Sequence, residues 1–249
     1  MEGQDLFIFL HIPKTGGSTL NTIFKRQFTL NEMYDHELFQ DAVIPLEELT
    51  EVHKREITAF AGHHLYGVHK HFKRPYHYFT MLRHPVDRVL SLYSYLRNYP
   101  GYERLKDMTL EEFVRTEPEA QNCQTVLLCG YPVQYDINLA KERLASFDAV
   151  GITERFDESI YLLKSVYNWD DIHYEKVNIT KTKLRRSDVP KETIKLIEDY
   201  NKLDMELYLF AKELLQNRLN SLSKKEKKDM KKFVQKQKAL NKQNKKAKL

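Results

Sequence analysis

Five consecutive apolar residues, Leu6-Phe-Ile-Phe-Leu10, run straight into His11-Ile12-Pro13-Lys14-Thr15-Gly16-Gly17-Ser18-Thr19. A strand of that composition offers no face to water, so it belongs inside a parallel sheet covered on both sides. The glycines then permit a tight turn, and Ser18 or Thr19 is expected to cap a helix reaching about Arg26. A strand, a glycine-bearing turn and a helix N-terminus together make an anion site. Backbone N–H groups point at the ligand, and the helix dipole adds partial positive charge. Lys14 contributes a full charge, Ser18 and Thr19 contribute hydroxyls, and Gly16 and Gly17 allow close backbone approach. Taken alone, the segment also fits an ordinary strand-to-helix turn with an exposed lysine. A Walker loop requires lysine after its second glycine, whereas Lys14 precedes both glycines. A dinucleotide-binding G-x-G-x-x-G is also absent.

Downstream, Ile57–Ala61 and Tyr76–Leu82 are expected strands, the second stopping at Arg83-His84-Pro85. Pro85 suits the first position of a helix whose apolar stripe is Val86, Val89, Leu90, Tyr93 and Leu96. Helices are expected over Leu110–Thr116, Ile137–Ser146 and Asp157–Tyr167, and strands over Asp148–Ile152 and Ile172–Val177. A single long amphipathic helix is expected from Lys191 to Leu215. Alternating strands and helices predict an α/β fold of three layers, a central parallel sheet flanked by helices.

The length of 249 residues suits one such domain, expected over residues 1–220, with a lysine-rich tail over 221–249. That tail holds twelve lysines against Glu226 and Asp229, a net +10, so the remaining residues carry −5 of the chain's overall +5. The body therefore lacks the basic face expected of a specific nucleic-acid binder. The tail is expected to be solvated and frayed or a helical extension, weakly apolar along Met230, Phe233, Val234 and Leu240, and able to contact anionic surfaces. No apolar run approaches the ~20 residues of a membrane span, and neither a signal peptide nor an N-terminal anchor is expected. Cys123 and Cys129 are the only cysteines, which suits a reduced compartment and a cytoplasmic location.

A second anion site is expected at Arg83 and Ser91. Arg83 closes a strand at the edge where α/β sheets bind ligands, and its guanidinium can grip phosphate bidentately. Ser91 shares a helix face with Asp87, away from the apolar stripe. Alone, Arg83 fits a structural ion pair equally well. Gly62–His71 holds four of the ten histidines, a source of general bases near neutral pH. The segment lacks the paired-histidine spacing and nearby cysteines of a zinc site, so no metal is expected.

Leu10-His-Ile-Pro-Lys-Thr-Gly-Gly-Ser-Thr-Leu20 resembles the 5′-phosphosulfate loop of the heparan-sulfate-type O-sulfotransferases and their bacterial relatives, the 6-O enzymes especially. The resemblance implies a P-loop-like fold and the donor PAPS (3′-phosphoadenosine 5′-phosphosulfate). The sulfuryl group would pass to a hydroxyl of a carbohydrate-like acceptor, releasing PAP without a metal. It implies that Lys14 meets the sulfate end and that residues 14–19 hold the 5′ side. Arg83 and Ser91 reproduce the eight-residue spacing of the family's 3′-phosphate clamp. The Gly62-His63 step is similar to the position of the 2-O enzymes' catalytic base, with His64 as runner-up and His11 structural. Gln121–Thr125 resembles a cleft-lining segment, and Gly151–Phe156 resembles a strand and turn of the family. Asn178–Arg186 resembles a loop closing over the nucleotide, with Thr182 or Lys183 near a phosphate. The rival readings are an ATP-dependent nucleotide kinase and a non-catalytic fold-mate that binds polyanions through the tail.

Overall fold

The computed structural model describes residues 4–35, 46–175 and 184–247. Five strands, β1 (Leu6–Leu10), β2 (Met33–Asp35), β3 (Ala59–Gly62), β4 (Tyr76–Leu82) and β5 (Ala149–Ile152), form one sheet in the order β2-β3-β1-β4-β5. Every pairing is parallel, with Leu10 in register with both Gly62 and Thr80. The apolar run thus occupies the centre, as its composition demands.

Alternating side chains of β1 supply two separate cores. Leu6, Ile8 and Leu10 pack with residues of α5 (Cys123–Cys129), α6 (Ile137–Ala145) and α9 (Lys202–Ser221). Phe9 faces the other way, towards Leu20, Ile23 and Phe24 of α1 (Gly17–Lys25) and Ile160 and Leu163 of α7 (Phe156–Tyr167). The result is three layers around a central parallel sheet. A third cluster joins α3 (Pro85–Leu96), α4 (Leu110–Thr116) and α8 (Lys191–Tyr200), where Val86, Val89, Leu90, Tyr93 and Leu96 all lie buried. The short α2 (Glu51–Glu56) precedes β3 and begins at Thr50, whose hydroxyl accepts from the His53 N–H.

Two expectations are corrected and a third is narrowed. The single helix from Lys191 to Leu215 is broken at Asn201 into α8 and α9. The buried Asn201 amide donates to the carbonyls of Ala120 and Ile197 and accepts from Asn122 N–H. Its backbone leaves helical geometry to do so. Ile172–Glu175 form no strand, while Lys176 and Val177 lie outside the described residues. Of the two states expected for the lysine-rich stretch, the helical extension is found and the frayed one is not: α10 (Lys224–Ala247) starts at a capping box between Ser223 and Glu226. Phe233 then packs against Tyr161 and His173. Gln237 is fully buried, donating to the Tyr174 carbonyl at 2.6 Å and lying 3.3 Å from His173 Nδ1. Gln237→Leu is expected to cost about 1–3 kcal/mol by stranding that carbonyl, seen as a lower thermal midpoint.

At the opposite edge of the sheet from the site, His77 bridges Asp5 and Asp148, each at 3.1 Å. Burial opposes its charge, but the two carboxylates outweigh that and raise its pKa. The folded state therefore holds this proton more tightly than the unfolded chain. The stabilisation is complete below about pH 6.5, the unfolded value, and lost as pH rises through the raised folded value. His77→Gln is expected to flatten that decline, under about 1 kcal/mol for so exposed a pair, in urea titrations at pH 6 and 8.

Candidate active site

The carboxyl ends of β1, β3 and β4 lie side by side, so His11, His63 and Arg83 leave the sheet from the same edge. Between β3 and β4 the strand order reverses about β1, which is where open α/β sheets bind ligands. The loop after β1 is held from within. Thr15 Oγ1 donates to Ile12 O at 2.8 Å, and the Thr153 hydroxyl sits between the carbonyls of Thr15 and Leu82. Lys14 adopts φ 69° and Gly16 φ 87°, left-handed conformations that turn the chain into α1.

Gly17 is required for a different reason. A Cβ there would lie 1.7 Å from His11 Nε2, so the imidazole occupies the space a side chain would need. The helix begins at Gly17, capped by Gly16 rather than by the expected Ser18 or Thr19, which fall inside its first turn. No side chain caps the first turn, which leaves its N–H groups pointing out of α1 as an anion cradle.

Arg83 follows β4 and reaches back to the loop, where Nη1 donates to the Lys14 carbonyl at 2.9 Å. Its backbone is clamped by Gln124, which accepts from Arg83 N–H and donates to Arg83 O, each at 3.0 Å. Gln124 and Thr125 are fully buried, so within the Gln121–Thr125 segment Gln124 braces the arginine, while Gln121, Asn122 and Cys123 are half-buried. Burial lowers the Arg83 pKa, opposed by Asp87 and Glu154. The result is a poorly hydrated cation that gains from an anionic partner. His84 caps α3 by accepting from Val86 N–H, and Pro85 takes the first helical position as expected. Ser91 is buried but lies on the same face of α3 as Asp87. Asp87 holds Arg186 through two hydrogen bonds of 3.0 and 2.8 Å. That pair fastens the end of the Asn178–Arg186 segment beside Arg83; Thr182 and Lys183 lie outside the described residues.

The two candidate bases differ sharply. His63 is exposed, with Nδ1 2.9 Å from the His11 carbonyl. A carbonyl only accepts, so Nδ1 carries the proton and the lone pair stays on Nε2. His64 turns inward, its ring edge-on to Phe60 at 4.9 Å and its Nδ1 3.1 Å from Leu65 O. Burial pushes its pKa down to about 4. His11 stacks on Phe9 at 5.1 Å and meets the His63 ring at 4.3 Å with a tilt of 31°, packed inside the fold. Among the described residues, no group of three or more His, Cys, Asp or Glu side chains is placed to hold a metal ion.

The resemblance singled out the segments that hold Thr153, Gln124 and Arg186, but not the supporting contact that each of the three makes. Each acts through a partner distant in sequence, which no local pattern reports. Glu154, beside Thr153, accepts from His84 N–H and from the Tyr208 hydroxyl, tying α9 to the same edge.

Galactose-3-O-sulfotransferase 3 of Mus musculus is 31% identical to this chain over 53% of its length and 35% of the relative's. Heparan-sulfate 6-O-sulfotransferase 1 of Homo sapiens is 25% identical over 88% of this chain and 67% of that protein. The chain thus spans about a third of the length of the galactose-specific relative. A mouse sulfotransferase solved in complex with PAP aligns with 95% of this chain and 85% of its own, at 14% identity and a TM-score of 0.41. Residues 1–211, which carry both candidate anion sites and the histidine segment, match the model of the Sulfotransferase family, and the chain belongs to that family.

Proposed function

We propose that this protein is a PAPS-dependent O-sulfotransferase acting on a carbohydrate-like hydroxyl. The observation that carries the reading is the hydrogen bond from Arg83 to the Lys14 carbonyl. It joins two cationic anion sites at one sheet edge, and a donor phosphorylated at both its 3′ and 5′ positions needs two such sites. Lys14, Thr15, Gly16, Gly17, Ser18 and Thr19 hold the 5′-phosphosulfate, and Arg83 with Ser91 holds the 3′-phosphate.

In the proposed reaction His63 Nε2 takes the proton from the acceptor hydroxyl as its oxygen attacks sulfur. The bond from sulfur to the bridging phosphate oxygen breaks, and the electron pair stays on PAP. Lys14 and the first-turn N–H groups of α1 stabilise that oxygen. The arginine clamp fixes the nucleotide so that sulfur faces the incoming oxygen. The His63 proton then passes to solvent.

The named activities of the relatives, on galactose and on heparan sulfate, support a glycan acceptor. The lysines of α10 suit an acidic glycan or another anionic surface. Cys123 and Cys129 are unpaired, in keeping with a proposed cytoplasmic location. Transfer of radiolabelled sulfate from PAPS onto a glycan panel tests the reading, alongside thermal stabilisation by PAP and by ATP-Mg²⁺. Stabilisation by ATP-Mg²⁺ alone, with no transfer, would make the protein a nucleotide kinase instead.

A further inference from the structure

Beyond Lys14 lies a run of aromatic rings that the proposed donor sites do not use. The Lys14 ammonium sits 3.6 Å from the centroid of the Tyr95 ring. Tyr95 meets Tyr99 at 5.0 Å between centroids, and Tyr99 meets Tyr102 at 6.1 Å. Tyr95 follows Ser91 by one turn on the face of α3 that also bears Asp87, so this face leads from the proposed 3′-phosphate clamp to the lysine. At Gly101, φ 88° reverses the chain, and Tyr102 N–H donates to the Tyr99 carbonyl at 3.2 Å. That turn brings the third ring back beside the second.

Rings of this size normally enter the core, as Phe9, Phe24 and Phe79 do here. Tyr95 and Tyr99 belong to none of the three core clusters and Tyr95 is 38% exposed, whereas the half-buried Tyr102 leans on the third cluster and anchors the far end of the run. We propose that Tyr95, Tyr99 and Tyr102 form the docking strip for a saccharide acceptor, leading its hydroxyl to Lys14. This rests on the sulfotransferase reading. Pyranose rings present flat C–H faces that stack on aromatic rings, and their rims carry hydroxyls that bond to polar side chains and water. The ring spacings are comparable to the length of one sugar unit. Tyr95 has a second part in this arrangement, since its π-face holds the ammonium at the point where the strip ends.

The test uses the full chain saturated with PAP and three probes: N-acetyllactosamine, a 6-O-desulfated heparin hexasaccharide and a chondroitin hexasaccharide. Calorimetry is expected to show binding of at least one probe. Tyr99→Ala and Tyr102→Ala should each weaken it about five- to tenfold, the scale of one lost aromatic contact. Tyr99→Phe should retain it, because the ring and not the hydroxyl does the stacking. PAP affinity should be the same in all variants, which also reports that they fold. Saccharide binding indifferent to both alanine variants, or absent from a wild type that binds PAP, overturns the strip. A wild type that fails to bind PAP overturns the donor reading, and the strip with it.

Discussion

His63→Ala is expected to lower sulfuryl transfer by about 10²–10⁴-fold, the usual contribution of a positioned general base, while PAP affinity stays within about twofold. The two effects separate because His63 belongs to the acceptor side. Its Nδ1–H is spent on the His11 carbonyl at 2.9 Å, which leaves the lone pair on Nε2. Calorimetric PAP binding and initial rates on the same preparation check both halves. His64→Ala is the control. A buried ring whose pKa is pushed down to about 4 is a weak base and lies turned away from solvent. That variant should lose stability, and its rate per folded molecule should hold. A normal rate in His63→Ala would move the base elsewhere and remove His63 from the mechanism.

Arg83→Ala is expected to reduce PAP affinity by about 100-fold, on the scale of about 1.5–3 kcal/mol for each hydrogen bond between charged groups. AMP, which lacks the 3′-phosphate, should lose far less. The ratio of the two dissociation constants is the readout, because a general loosening of the site would weaken both nucleotides alike. Arg83→Lys should not restore the preference. An ammonium cannot present the planar fork, nor can it be expected to reach the Lys14 carbonyl while gripping phosphate. An unchanged PAP-to-AMP ratio in Arg83→Ala would remove Arg83 from the 3′-phosphate site. Arg83→Ala should also slow transfer in PAPS-saturated enzyme, since the Lys14 carbonyl loses its anchor.

Much of this was legible without coordinates. The central strand announced itself by lacking any polar residue, and Pro85 marked the start of α3. The Ser223-Lys-Lys-Glu226 cap of α10 was also present in the sequence, although the lysine count argued for a frayed stretch. Charge density favours solvation only when nothing offers a surface to pack against. Here Tyr161, His173 and the Tyr174 carbonyl supply that surface. The break at Asn201 was hidden because its cause is the pairing of one amide with Ala120 and Asn122, some eighty residues earlier.

The sheet's central strand, the glycine loop and the spacing of Arg83 and Ser91 were readable from local patterns, since these follow from short-range backbone and helix geometry. The different surroundings of His63 and His64 come from the tertiary structure, and they support the proposal of His63 as the base. Adjacent histidines have the same intrinsic chemistry, and they diverge because one meets the carbonyl of His11 while the other enters the packing around Phe60. The tertiary structure also holds Lys14 from two directions, by Arg83 at its carbonyl and by Tyr95 at its ammonium. Contacts between residues so far apart arise only when the sheet brings β1 and β4 together.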